Sequence, residues 1–83
     1  MNEDERIKRL RELVDRTAER LMYDRNLSLP EAIRLTVETR CMAEKIIPDM
    51  MDRYDLIYES RFQRLIWQFV LPRIHRGGEN ADG

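Results

Sequence analysis

The chain has 83 residues, enough for one domain and one small core. Charged residues make up 37% and hydrophobic ones 42%, with three glycines and three prolines, a composition that favours helix over sheet. Fifteen basic and sixteen acidic residues nearly cancel, and a single cysteine excludes an intrachain disulfide.

The charge balance also holds locally. Residues 1–27 carry seven acids and seven bases, residues 28–47 three of each, and residues 48–72 four acids and three bases. No basic stripe forms of the kind that neutralises phosphates, which argues against nucleic acid as a partner. The acidic start, Asn2-Glu3-Asp4-Glu5, is unlike a signal peptide, and no apolar run approaches the length of a membrane span. A cytoplasmic protein without membrane association is the expectation.

The first helix is expected over residues 3–24. Asn2 suits an N-cap, and Glu3, Asp4 and Glu5 fall where the helix dipole favours acids. Ile7, Leu10, Val14, Ala18 and Leu21 recur at three- and four-residue steps and form one stripe, flanked by Leu13 and Thr17. Asp4–Lys8, Glu5–Arg9 and Glu12–Arg16 are acid-before-base pairs of a solvated face.

Ser28-Leu29-Pro30-Glu31 has the form of a capping box with proline in the first turn. It predicts a second helix over residues 29–47. Ile33, Val37, Cys41 and Ile47 lie on one side of it, and Leu35, Met42 and Ile46 on the other. Ala32 and Ala43 lie between. This wide apolar arc predicts a central helix touching two neighbours, with Cys41 a buried, inert thiol at its edge. Pro48 predicts a break, and a third helix is expected over residues 49–70. Met51, Tyr54, Tyr58, Phe62, Leu65 and Phe69 form its main stripe. Pro72 is expected to end it, leaving residues 73–83 as a flexible tail that includes His75. The fold class is therefore all-α: a three-helix bundle, or a helical hairpin plus a third helix. So small a core makes self-association, as a homodimer, an expected source of stability.

Few residues suggest chemistry. Cys41 has only His75 as a candidate base, and one cysteine plus one histidine cannot make the common zinc patterns. No catalytic, cofactor or metal residue is assigned, so no cofactor is expected and the chain reads as no enzyme. Two alternatives stand beside that reading. A helix-turn-helix-like element over residues 21–40 would offer Arg34, Thr36, Thr39 and Arg40 to DNA bases. The pairs Glu12-x-x-Asp15 and Asp49-x-x-Asp52 each place two carboxylates on one helix face, as in Mg²⁺-dependent all-α nucleotide hydrolases. The Glu-x-x-Glu element of such pyrophosphatases is missing from this sequence.

The feature that carries function is apolar excess. Around Trp67 the third helix is apolar on most faces. The expected interface is Ile66, Trp67, Val70 and Leu71, with Arg61, Arg64 and Arg73 at its rim. Its partner would be another protein or a second copy of the chain, in a regulatory or assembly role.

Overall fold

The computed structural model describes residues 2–73. They form a bundle of three helices, with no strand among the described residues. Helix α1 spans Glu3–Tyr23 and α2 spans Leu29–Ile46. A 3₁₀ turn, Pro48–Met50, leads into α3, residues 51–73.

The helix starts follow local chemistry. The Asn2 side chain accepts from the Glu5 N–H at 2.8 Å. At α2 the Ser28 hydroxyl accepts from the Glu31 N–H at 3.2 Å, and the Glu31 carboxylate accepts from the Ser28 N–H at 3.3 Å. This reciprocal box holds the Glu31 carboxyl below its ordinary value, chiefly through the hydrogen bonds from Ser28. Pro48 breaks the chain as expected: Ile47 leaves the helical region, and its N–H ends α2 on the Ala43 carbonyl at 2.7 Å.

Two long-range contacts fix the layout. Thr17 of α1 and Thr39 of α2 meet through their hydroxyls at 2.6 Å, both side chains buried. Arg6 near the start of α1 donates from Nε to the Ile46 carbonyl at 2.9 Å and pairs with Asp49. Helices α1 and α2 are therefore antiparallel. In α3, Arg73 reaches the end of α1, so α3 runs parallel to α1 and antiparallel to α2.

The face of α2 against the bundle is Ala32, Thr36, Thr39 and Ala43, all small enough for close helix approach. Leu10, Val14, Ala18 and Leu21 of α1 meet Tyr54, Phe62, Leu65, Ile66 and Val70 of α3 in one core. Ile7, expected in the same stripe, is exposed instead. None of the three expected acid-before-base pairs on α1 closes to an ion pair. The pair that does is Arg20–Asp24 at the helix end.

Helix α3 is not a uniform α-helix. It is α-helical over Met51–Tyr54, π-helical over Asp55–Glu59, α-helical over Ser60–Leu65 and π-helical over Ile66–Val70. The reason lies in its buried line: Tyr54, Tyr58, Phe62, Ile66 and Val70 follow at strict four-residue steps. In a regular α-helix each such step drifts by roughly 40°, and four steps would carry the line about 160° around the helix. A π turn takes in one extra residue and resets the line. The expected stripe ending in Leu65 and Phe69 is corrected accordingly. Leu65 stays buried, Phe69 is part-exposed, and Ile66 and Val70 enter the core.

The helix end is corrected too. Pro72 lies within the helix, which continues through residue 73. The preceding π turn, in which the Leu71 N–H reaches back to the Ile66 carbonyl, displaces the carbonyls that a proline ring would otherwise strike. Arg73 is thus helical rather than part of a tail. The rest of that expected tail, with His75, lies outside the described residues.

Candidate functional site

The four-residue repeat sorts α3 into parallel lines, and the contacts say which neighbour each line faces. One residue beyond the buried line come Asp55, Glu59, Gln63 and Trp67. Arg40 of α2 holds Asp55 with two bonds, Nε–Oδ1 at 2.8 Å and Nη2–Oδ2 at 3.0 Å, so this line flanks α2. One residue before the buried line come Arg53, Ile57, Arg61, Leu65, Phe69 and Arg73. Arg73 bonds α1, so this line flanks α1. Leu56, Ser60, Arg64 and Gln68 form the outer line, and all four are exposed.

The seven expected interface residues therefore separate. Ile66 and Val70 are buried and belong to the core, and Leu71 is half-buried against it. Trp67 is 71% exposed on the α2 flank. Arg61 and Arg64 are exposed, and no carboxylate among the described residues pairs with either. Arg73 is not a rim residue. Its Nη1 donates to the Asp24 carbonyl at 2.5 Å, its Nη2 to Leu21 at 2.6 Å and Met22 at 3.2 Å, and its Nε to Phe69 at 2.5 Å. The Leu21, Met22 and Asp24 carbonyls lie at the end of α1 and have no helical donor of their own. Arg6 does the same for Ile46 of α2. Both arginines cap a helix other than their own. A sequence pattern within one helix cannot show such a cap.

What lies beside Trp67 was legible in part. Ile33 and Val37 of α2 are 50% and 54% exposed, and Cys41 is exposed too. The expectation of a buried Cys41 is thereby corrected, and so is that of an α2 covered on both sides. With three helices, α3 covers one edge of α2 and α1 another, and the outer row of the wide arc stays in solvent. The Arg40–Asp55 pair sets the register. Counting residues from it at 1.5 Å each puts Ile33 and Trp67 about 8 Å apart along the bundle axis. A helical side chain leans toward the N-terminus, so the indole leans toward Ile33. Ile33 is thus the nearest of these exposed α2 residues to Trp67, and Val37 and Cys41 continue the exposed row further along α2.

A second apolar depression lies on the opposite side, between α1 and α2. It has a volume of about 150 Å³ and is lined by Leu13, Leu35 and Met42 above the Thr17–Thr39 pair. It is shallow, and its charged margin is Arg16, Arg20 and Glu38.

The residues of the two alternatives are placed as follows. Of the four DNA-reading candidates, Thr36 and Thr39 are buried and Arg40 is tied to Asp55, leaving Arg34 exposed with no ion-pair partner among the described residues. Of the acidic pairs, Asp49 is held by Arg6, which keeps its carboxyl below the ordinary range. No three His, Cys, Asp or Glu side chains gather as a metal site among the described residues. No helix among them is long and apolar enough to cross a membrane.

Fold and surface together define a small all-α three-helix bundle with an uncovered apolar face. Comparison of the chain with family models, with curated proteins and with solved structures finds no match.

Proposed function

We propose that this chain is a non-catalytic interaction protein that binds another protein, or a second copy of itself, through Trp67 together with Ile33, Val37 and Cys41. The observation that carries the reading is the exposure of Trp67 beside the uncovered row of α2. Large aromatic side chains next to aliphatic ones are the usual anchors of an interface. Arg64, on the outer line next to Trp67, and Arg34, next to Ile33, supply charge at the margin. The proposed location is the cytoplasm, where an exposed thiol such as Cys41 stays reduced.

Trp67 is the single tryptophan of the chain, so its emission reports on this surface alone. Light scattering is measured over a range of protein concentration on the native chain, Trp67→Glu and Val37→Glu, and tryptophan fluorescence on the native chain and Val37→Glu. Self-association gives a rising mass with a blue-shifted emission, lost in Val37→Glu. With a foreign partner, the free chain is monomeric with red emission, and the partner captured by the native chain is lost in both variants. Unchanged mass and unchanged capture in both variants would overturn the proposal.

A further inference from the structure

Two rows of α2 face solvent side by side. One is the apolar row Ile33, Val37 and Cys41. The other lies about 60–120° round the helix from Val37 and is charged throughout: Glu31, Arg34, Glu38 and Lys45, all exposed. It is on the α1 side, since Glu31, Arg34 and Glu38 border a shallow depression together with Arg20. Arg34, Glu38 and Lys45 have no ion-pair partner among the described residues. Glu31 gives Oε1 to Ser28, and its Oε2 takes no part in those bonds. Along the row the signs run acid, base, acid, base, an order that is its own complement when read backwards.

A two-fold axis perpendicular to a helix turns it end for end and lays each flank against the same flank of its copy. Through Val37, such an axis sets Cys41 over Ile33 of the second copy. On the charged flank, Arg34 then comes within two residues, about 3 Å along the helix, of the second copy's Glu38, and Glu31 equally close to its Lys45. The midpoints of the three pairings fall at Val37, Thr36 and Glu38, three adjacent positions. The two Glu38 straddle the axis, each next to the other copy's Arg34. Glu44, also exposed, falls over the first turn of the second copy's α2, where the helix dipole favours an acid. A parallel pair would set Arg34 on Arg34 and Glu38 on Glu38. A slide of one turn either way brings Arg34 to Lys45 or Glu31 to Glu38.

We propose that the chain dimerises through α2: two copies lie antiparallel about a two-fold axis at Val37, with the Ile33, Val37 and Cys41 rows in contact and the Arg34–Glu38 and Glu31–Lys45 pairs closing one flank. This rests on the reading of the exposed α2 row as an interface and names its occupant as a second copy. One pair of helix faces makes a small interface, so the dimer is weak and the dilute chain leaves the row exposed.

The test is the mass of the full chain in solution, by light scattering up to millimolar concentration. Arg34→Glu makes the centre of the charged flank all acid, and Glu38→Arg makes it all base. Each should raise the dissociation constant of the dimer about tenfold or more. Mixed one to one, the two variants should pair with each other at least as tightly as the native chain pairs with itself, since residues 34 and 38 then face opposite charge at every approach. An effect within one helix cannot give that result, because neither variant regains an opposite charge of its own. Cross-linking reads the register. Val37→Cys combined with Cys41→Ser should oxidise to a disulfide dimer, whereas Cys41 of the native chain, about 12 Å from its copy along the helix, should not. A native chain that stays monomeric at millimolar concentration overturns the dimer and leaves the exposed row to a foreign protein. A dimer that both charge variants keep unchanged overturns the α2 pairing. So do variants that fail to pair when mixed, or a native chain that cross-links as fast as the Val37→Cys, Cys41→Ser chain.

Discussion

Replacing Arg73 by alanine separates a capping role from a rim role. The guanidinium closes the carbonyls of Leu21, Met22 and Asp24, and the first two belong to the last turn of α1. A hydrogen bond from a charged donor is worth about 1.5–3 kcal/mol when buried. Here the side chain is half-buried and water can replace it, so roughly 1 kcal/mol for each of the two helix carbonyls is the better figure. The positive charge at a helix C-terminus adds about 0.5 kcal/mol. Arg73→Ala should therefore cost about 2–3 kcal/mol. In a domain of this size that corresponds to a fall in Tm of about 10–20 °C. Lysine keeps the charge but not the planar fork that serves several carbonyls at once, so Arg73→Lys should recover less than half of the loss. Urea unfolding followed by circular dichroism measures both. A loss below about 0.5 kcal/mol, the range of an ordinary surface substitution, would refute the capping argument. So would full recovery by lysine.

Two further outcomes follow from packing. The Thr39 hydroxyl donates to the Leu35 carbonyl at 2.7 Å and accepts from Thr17, which has the Leu13 carbonyl at 3.2 Å as a second acceptor. Thr17→Val and Thr39→Val should each cost about 1 kcal/mol, and the double variant less than their sum. Strict additivity in a denaturant-unfolding cycle would show that the two hydroxyls do not interact. Phe62, fully enclosed in the core, should cost about 3–5 kcal/mol as alanine, whereas Val37→Ser on the uncovered row should stay within about 0.5 kcal/mol. A Val37→Ser variant as unstable as a core variant in the same assay would mean that the surface is already covered in solution.

Much of the fold was readable because its signals are local. Asn2, Ser28, Glu31 and Pro48 act on backbone within three or four residues of themselves, and each does in the structure what its position implies. The α1 stripe was readable for the same reason, since an undistorted helix obeys one period. Reading failed where period or partner is set by the tertiary structure. The 3.6-residue rule put Phe69 into the core and left Ile66 and Val70 for the surface, because a π turn is adopted only when packing rewards a four-residue line. Arg73 and Arg6 were missed as caps because the carbonyls they serve are 49–52 and 40 residues away. Of the expected surface, Trp67, Arg61 and Arg64 remain exposed, and the apolar neighbours of Trp67 come from α2 rather than from its own helix. Their exposure depends on how many helices pack on α2, which composition does not specify.

The two π turns also bear on how this chain tolerates changes in length. A π turn is a helix turn with one residue more than an α turn. Removing one residue within Asp55–Glu59 or Ile66–Val70 returns that turn to α geometry and keeps the flanking segments in phase. The same deletion within Ser60–Leu65 rotates one half of α3 against the other by about 100°, which turns the core line of one half toward solvent. Relatives that differ by a single residue in α3 can therefore share this core, provided that the difference falls at one of the two turns.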